Sequence, residues 1–271
     1  MYLQPEEAFV YAIVFAIALL ASAVGAICGI GGGIIIKPVM DAVGVADVAT
    51  INFISGCTVL SMTLYSVLRS RISGTSQLNP KTDTPLAIGA AAGGLLGKQL
   101  FSAVAALMES ANLAGAVQSG TLFVITLGTL VYTINKERVT TRHDDNLVVC
   151  LLIGLVLGVS SSFLGIGGGP INLVVLFYFF SMTTKRAAQS SLYIILLSQT
   201  TSTASALLTQ DLSGVAVPML AGMVVCGIAG GMIGRKVNSR IDDMVVDKLF
   251  IGLMVVIMCI NVFNVWKYAL T

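Results

Sequence analysis

The sequence predicts an all-α polytopic membrane protein, an inverted repeat of two five-segment halves, each with a glycine-broken helical hairpin. Three observations predict it. Of 271 residues, 56% are apolar and only 10% are charged, against about a quarter charged in soluble domains; so few charges cannot cover a water-facing surface, and the outside must be lipid. Apolar runs of membrane-spanning length recur along the chain. An identical pentapeptide, Gly29-Ile30-Gly31-Gly32-Gly33 and Gly165-Ile166-Gly167-Gly168-Gly169, returns after 136 residues.

The first apolar run, 8–28, follows Glu6 and Glu7 instead of a basic segment and lacks a small-x-small cleavage pattern, so it reads as a membrane helix and not as a signal peptide. Runs near 48–68, 85–105, 115–134, 147–164, 187–208, 214–234 and 245–266 follow. Each approaches the roughly 20 residues that cross a core of about 30 Å. Two shorter pieces, 34–45 and 171–182, come directly after the glycine breaks. A second repeated pair, Gly93-Gly94-Leu95-Leu96-Gly97-Lys98 and Gly230-Gly231-Met232-Ile233-Gly234-Arg235, is displaced by 137 residues. The chain is therefore read as a tandem duplication: a first repeat over 1–134, a connector over 135–146 and a second repeat over 147–271. The connector holds Lys136, Glu137, Arg138, Arg142, Asp144 and Asp145 and is the most polar stretch.

Basic residues orient the halves. After the short piece, the first half offers Asp41 and Asp47 and the second Lys185 and Arg186. After the next helix, the first half has Arg69, Arg71 and Lys81 where the second has Asp211. The following loop carries Glu109 in the first half but Arg240 and Lys248 in the second. The reversal at each loop predicts halves lying upside down relative to each other, with an odd number of crossings in each. Five per half fits. Both termini are then outside, with the loops at 69–84, 135–146, 181–186 and 235–244 in the cytoplasm. Eight crossings would instead make the repeats parallel and leave the reversal unexplained.

Several functions are disfavoured. A formal net charge of +2, with no basic stripe, gives no sign of a nucleic-acid partner. Five cysteines in apolar runs, no CxxC and one histidine imply neither a disulfide framework nor a metal site, and no cofactor motif is present. An intramembrane enzyme would need clustered His, Asp, Glu or Cys, yet His143 lies in the connector and no membrane segment has two acidic residues. A scaffold would need neither a duplication nor paired glycine breaks. A transporter remains, with a passive channel the alternative. Buried acids are nearly absent from this reading, which leaves no proton carrier, and a homodimer is compatible with it.

Glycine triplets inside apolar sequence expose backbone amides that must be buried in protein or line a wet cavity. Pro170 after the second triplet suits the first turn of a helix, whose N-terminal amides form an anion site. Two such turns from opposite faces would hold a small anion near midplane. Gly31, Gly32, Gly33, Gly167, Gly168 and Gly169 are therefore candidate contacts, with Gly32 and Gly168 expected at positive φ. The competing reading is that the glycines only allow tight helix packing.

The paired GIGGG turns and duplicated GGxxG(K/R) helices resemble the TauE/SafE family of sulfite and organosulfonate transporters, over 8–266. The resemblance implies secondary transport of small sulfur anions across a prokaryotic cytoplasmic membrane, without nucleotide hydrolysis. It matches the family's polar stretch after the hairpin to Ala49-Thr50-Ile51-Asn52 and Ala188-Gln189-Ser190-Ser191, with Asn52 where a hydroxyl residue is more usual. Asn52, Gln189 and Ser190 join the candidate contacts, as do Ser162 before the second turn and Asn172 after it; Ser160 and Ser161 share that position. Lys37, soon after the first triplet and without a basic counterpart, is read as a counter-charge for the substrate in preference to an interfacial anchor. Lys98 and Arg235 occupy equivalent positions, where snorkelling is the commoner role.

Overall fold

The structure, a computed structural model, describes the backbone of residues 5–108, 111–143, 146–166, 168–210, 212 and 214–270. The first half comprises α1 (Pro5–Cys28), α2 (Gly33–Val43), α3 (Val48–Ile72), α4 (Pro80–Ala106) and α5 (Ala111–Asn135). The second comprises α6 (Leu147–Phe163), α7 (Pro170–Phe180), α8 (Thr184–Thr209), α9 (Val217–Asn238) and α10 (Asp243–Leu270). Among the described residues there is no strand.

Among the described residues, seven helices are long and apolar enough to cross a membrane, one fewer than the eight long runs expected. The exception is α6, whose 17 residues reach about 25 Å at about 1.5 Å per residue. At 11 residues each, α2 and α7 cover about 16 Å, roughly half a bilayer core. Each follows directly on a glycine turn. Helix starts follow local chemistry: Asp47 and Asn146 accept from the amides of Thr50 and Val148, each at 2.9 Å. Asn79 caps α4 with Pro80 in the first position, where a missing N–H costs nothing.

The halves interlock. Helix α1 packs on α9 and α6 on α4, while α3 lies against both α8 and α9, and α8 against both α3 and α4. Exchanging the halves maps this packing pattern onto itself. Lipid supplies no hydrophobic force between helices, so close backbone approach must supply the attraction. Glycines four apart provide it. Gly89, Gly93 and Gly97 of α4 meet Leu151, Leu155 and Val159 of α6, and Gly230 and Gly234 of α9 meet Leu19 and Ala23 of α1. The duplicated GGxxG motif is thus a helix-packing device, with Gly94 and Gly231 turned towards α8 and α3.

Three apolar clusters result, a small one around Met62 and Leu192 and two larger ones. One surrounds α7 and includes Leu176, Phe177, Phe250 and Met254; the other surrounds α2 and includes Ile36, Met40, Met219 and Met223. The outer surface exposes Leu20, Leu68, Val124, Val156, Val225 and Phe263, as a lipid-facing wall requires. The four loops assigned to one face are joined by hydrogen bonds: Arg235 to Thr75, the Gln77 amide to Gln189, Ser181 to the Arg142 carbonyl, and Lys136 to Thr184. Lys136 is also paired with Asp247 there.

Candidate functional site

Both hairpins turn through glycines that L side chains would strain. Gly29 and Gly165 take φ of 76° and 65°, Gly31 74° and Gly168 119°, the region open to residues without a Cβ. Each turn seats against the helix of the other half: a Cβ at Gly29 would fall on Ala188 of α8, and one at Gly165 on Asn52 of α3. The turns then meet each other, since a Cβ at Gly33 would fall on the Ile166 carbonyl oxygen and one at Gly169 would lie 4.0 Å from the Ile34 Cδ1. Gly32 departs from expectation. Its φ is −72°, an ordinary helical value, because the positive φ that turns the chain sits one residue earlier, at Gly31. Gly167 lies outside the described residues.

Where α1 and α6 stop, their last carbonyls lose helical partners. Side-chain amides replace them at equivalent positions. Asn238 of α9 donates to the Ile27 carbonyl at 2.6 Å, and Gln118 of α5 to the Phe163 carbonyl at 2.7 Å. Neither residue was singled out from sequence; the available signal was an amide in an apolar helix, whose several hydrogen-bonding sites demand partners.

Polar side chains gather around the second turn. Asn52 lies over Gly165, and Asn172, 1% exposed, reaches the Ser191 hydroxyl at 3.4 Å. The contacts also correct the register inferred between the repeats: Asn52 stands in the position of Ala188 and not of Ser191, whose counterpart is Ser55. Among the described residues, the hydroxyls of Ser55, Ser161 and Ser162 and the carbonyl oxygens of Asn52 and Asn172 are buried without a protein partner. Ser22, whose hydroxyl is likewise unpartnered, lies against Gly32 of the first turn. Unpaired buried polar groups are costly, and two of these, Ser22 and Asn52, lie directly against the turns. Two of the expected residues point elsewhere. Ser190 faces Asp83, and Gln189 accepts from the Gln77 amide at 2.9 Å near the loops.

Lys37 is not a free counter-charge. Its ammonium lies 2.9 Å from the Asp41 carboxylate one turn along α2, with the residues 2% and 4% exposed. Lys267 of α10 donates to the Asp41 and Ala42 carbonyls, and Asn264 to that of Pro38, so α2 is fastened to α10 along this side. The expectation of almost no buried acid is also overturned, because Asp41 and Asp83, at 4% and 1% exposed, are both enclosed. Hydropathy missed them, since Asp83 stands just before the run at 85–105, Asp41 is a single acid within the piece at 34–45, and each is covered only by tertiary packing. Lys98 and Arg235 diverge as well: Lys98 is buried, whereas Arg235 donates to the Ser66 carbonyl and the Thr75 hydroxyl at a cavity mouth.

Outside the spans, the Asp47 carboxyl is pulled upward by partial burial, but the Thr50 hydroxyl and the Thr50 and Ala49 amides outweigh this and hold it below the usual carboxylate range. No group of three or more potential metal ligands occurs among the described residues.

Comparison with curated proteins and with solved structures finds no match. A family model described as "Sulfite exporter TauE/SafE" matches residues 14–261, including both glycine turns and all ten helices in whole or part. The chain belongs to the sulfite exporter TauE/SafE family.

Proposed function

We propose that this chain is a secondary transporter of small sulfur oxyanions or sulfonates in a prokaryotic cytoplasmic membrane, with its halves inverted and the anion held between the two glycine turns. The carrying observation is the meeting of Gly33 with Ile166 amid buried hydroxyl and amide groups without protein partners. In the packed state the turns lie against each other. Separation of the halves would free the first-turn amides of α2 and α7, together with Asn52, Ser162 and Asn172, to replace the anion's hydration shell. Lys37 then acts through the position of α2, because Asp41 already balances its charge. Rocking of one half against the other would expose this midplane site to each side in turn.

Proteoliposome counterflow tests the reading. Preloaded unlabelled sulfite or sulfoacetate should drive uptake of the same labelled anion above its equilibrium level, and nitrate should not. Absence of counterflow with every sulfur anion would reject carriage. Topology is tested separately on a background without native cysteines: Ala49→Cys should label from outside and Thr183→Cys from the cytoplasm. Labelling from one common side would reject the inverted arrangement.

A further inference from the structure

We propose that the ends of α3, α8 and α9 form an anion-loading vestibule on one face only, so that transport begins by capture there. This rests on the anion-transport reading and adds a binding site and a sidedness to it. A cavity of about 740 Å³ opens between those helix ends. Arg69, Lys185, Arg235 and Lys236 converge on it from three helices, and no acidic side chain is among its described lining residues. A much narrower cleft continues inward, sharing Gln189, Arg235 and Asn238 with the cavity and reaching Ser70 and Ala26, close to the first glycine turn.

The arrangement is directional. Arg235 is fixed at the junction of cavity and cleft by its bonds to Ser66 and Thr75. The Gln189 carbonyl oxygen is occupied by the Gln77 amide, which leaves its NH₂ as a donor. The Ser70 hydroxyl, on a residue 6% exposed, has no protein partner. A small oxyanion entering the cleft would find the Arg235 guanidinium, the Gln189 NH₂ and the Ser70 hydroxyl as donors. The cavity of about 330 Å³ on the opposite face is lined by Val10, Tyr11, Thr50, Ile54, Met219 and similar groups, without a charge among its described lining residues. Of these two openings, the first carries the cations that attract anions. Like charges between low-dielectric walls focus the field and raise the local anion concentration.

Orientation by positive loops explains basic residues near helix ends. It does not require them to converge on one cavity or to exclude carboxylates from it. In the proposed topology the charged face is cytoplasmic.

Two measurements on the full-length protein test this. In oriented proteoliposomes, Arg69→Gln/Lys185→Gln should raise the KM for sulfite about tenfold when sulfite is presented at the vestibule face. The KM from the other face should stay at the wild-type value, and added salt should narrow the difference between variant and wild type. Equal changes from both faces, or none, would overturn the vestibule. The second measurement needs no transport. In a background without native cysteines, Gln77→Cys should react with an anionic methanethiosulfonate about tenfold faster, relative to a cationic one, than the same protein also carrying Arg69→Gln/Lys185→Gln. An unchanged ratio would reject the anion-attracting field. If wild type shows no sulfur-anion transport while the ratio shifts as expected, the transport reading fails and the anion site stands.

Discussion

Gly33 opens α2 so close to the Ile166 carbonyl oxygen of the opposite half that no β-carbon fits between them. This contact joins two turns that are 136 residues apart in sequence equivalence, and it makes the middle of the molecule a backbone-to-backbone junction.

Gly33→Ala should therefore be among the most damaging single-methyl changes in the chain. The obstacle is backbone, which cannot rotate away, so overpacking of about 1–3 kcal/mol or more is expected, with loss of uptake. Gly128→Ala, where nothing lies within 4 Å, is the control and should keep the wild-type melting temperature. Gly32→Ala should be milder than Gly33→Ala, because its φ is helical and its nearest neighbour is Ser22 at 3.0 Å. Equal melting temperatures for Gly33→Ala and Gly128→Ala would contradict the junction.

Gly168 combines two constraints, a φ of 119° and a side chain, Ile195, in the space a Cβ would take. Gly168→Ala should lower stability by about 1–3 kcal/mol from backbone strain alone. Adding Ile195→Ala should relieve the crowding and leave the strain. Partial recovery of the melting temperature is the expected result in a thermal-unfolding series in detergent. Full recovery would mean that φ contributes little.

Lys37 and Asp41 should behave as a pair. Asp41→Asn or Lys37→Met alone leaves a buried charge uncompensated, a cost of about 3–5 kcal/mol, whereas replacing both with apolar residues is often nearly neutral. Lys37→Met/Asp41→Leu should thus melt closer to wild type than either single variant. If the double variant also keeps sulfite affinity, Lys37 serves only to fasten α2. Additive losses would show that the two charges act independently.

Asp47 gives a pH signature at the start of α3. Its folded pKa is lowered from 3.8, so its stabilisation is fully present above about pH 4 and is lost as the pH falls through the folded value. Asp47→Ala should cost about 1 kcal/mol at neutral pH, as other lost N-caps do. The gap between the two melting temperatures should close as the pH falls through that lowered value. A gap that persists unchanged in acid would point to packing and not to the charged cap.

By itself the sequence determined the membrane class, the ten segments, the duplication and the two glycine breaks, because hydropathy, spanning length and repeated motifs are local or periodic properties. The expected runs at 48–68 and 187–208 fall within α3 and α8. Even the short pieces at 34–45 and 171–182 differ from α2 and α7 by only one or two residues at each end. What only the tertiary structure decided is which polar groups face one another. Lys37 became half of an ion pair, Gln189 moved to the vestibule, Ser190 turned to Asp83, and Asn52 took the place of Ala188 in the repeat register. Asn238 and Gln118 became caps for helices distant in sequence. The physical reason is that a spanning helix presents every side to lipid or protein, and its neighbours, unspecified by its own periodicity, choose which of its polar atoms find partners and which remain for a ligand.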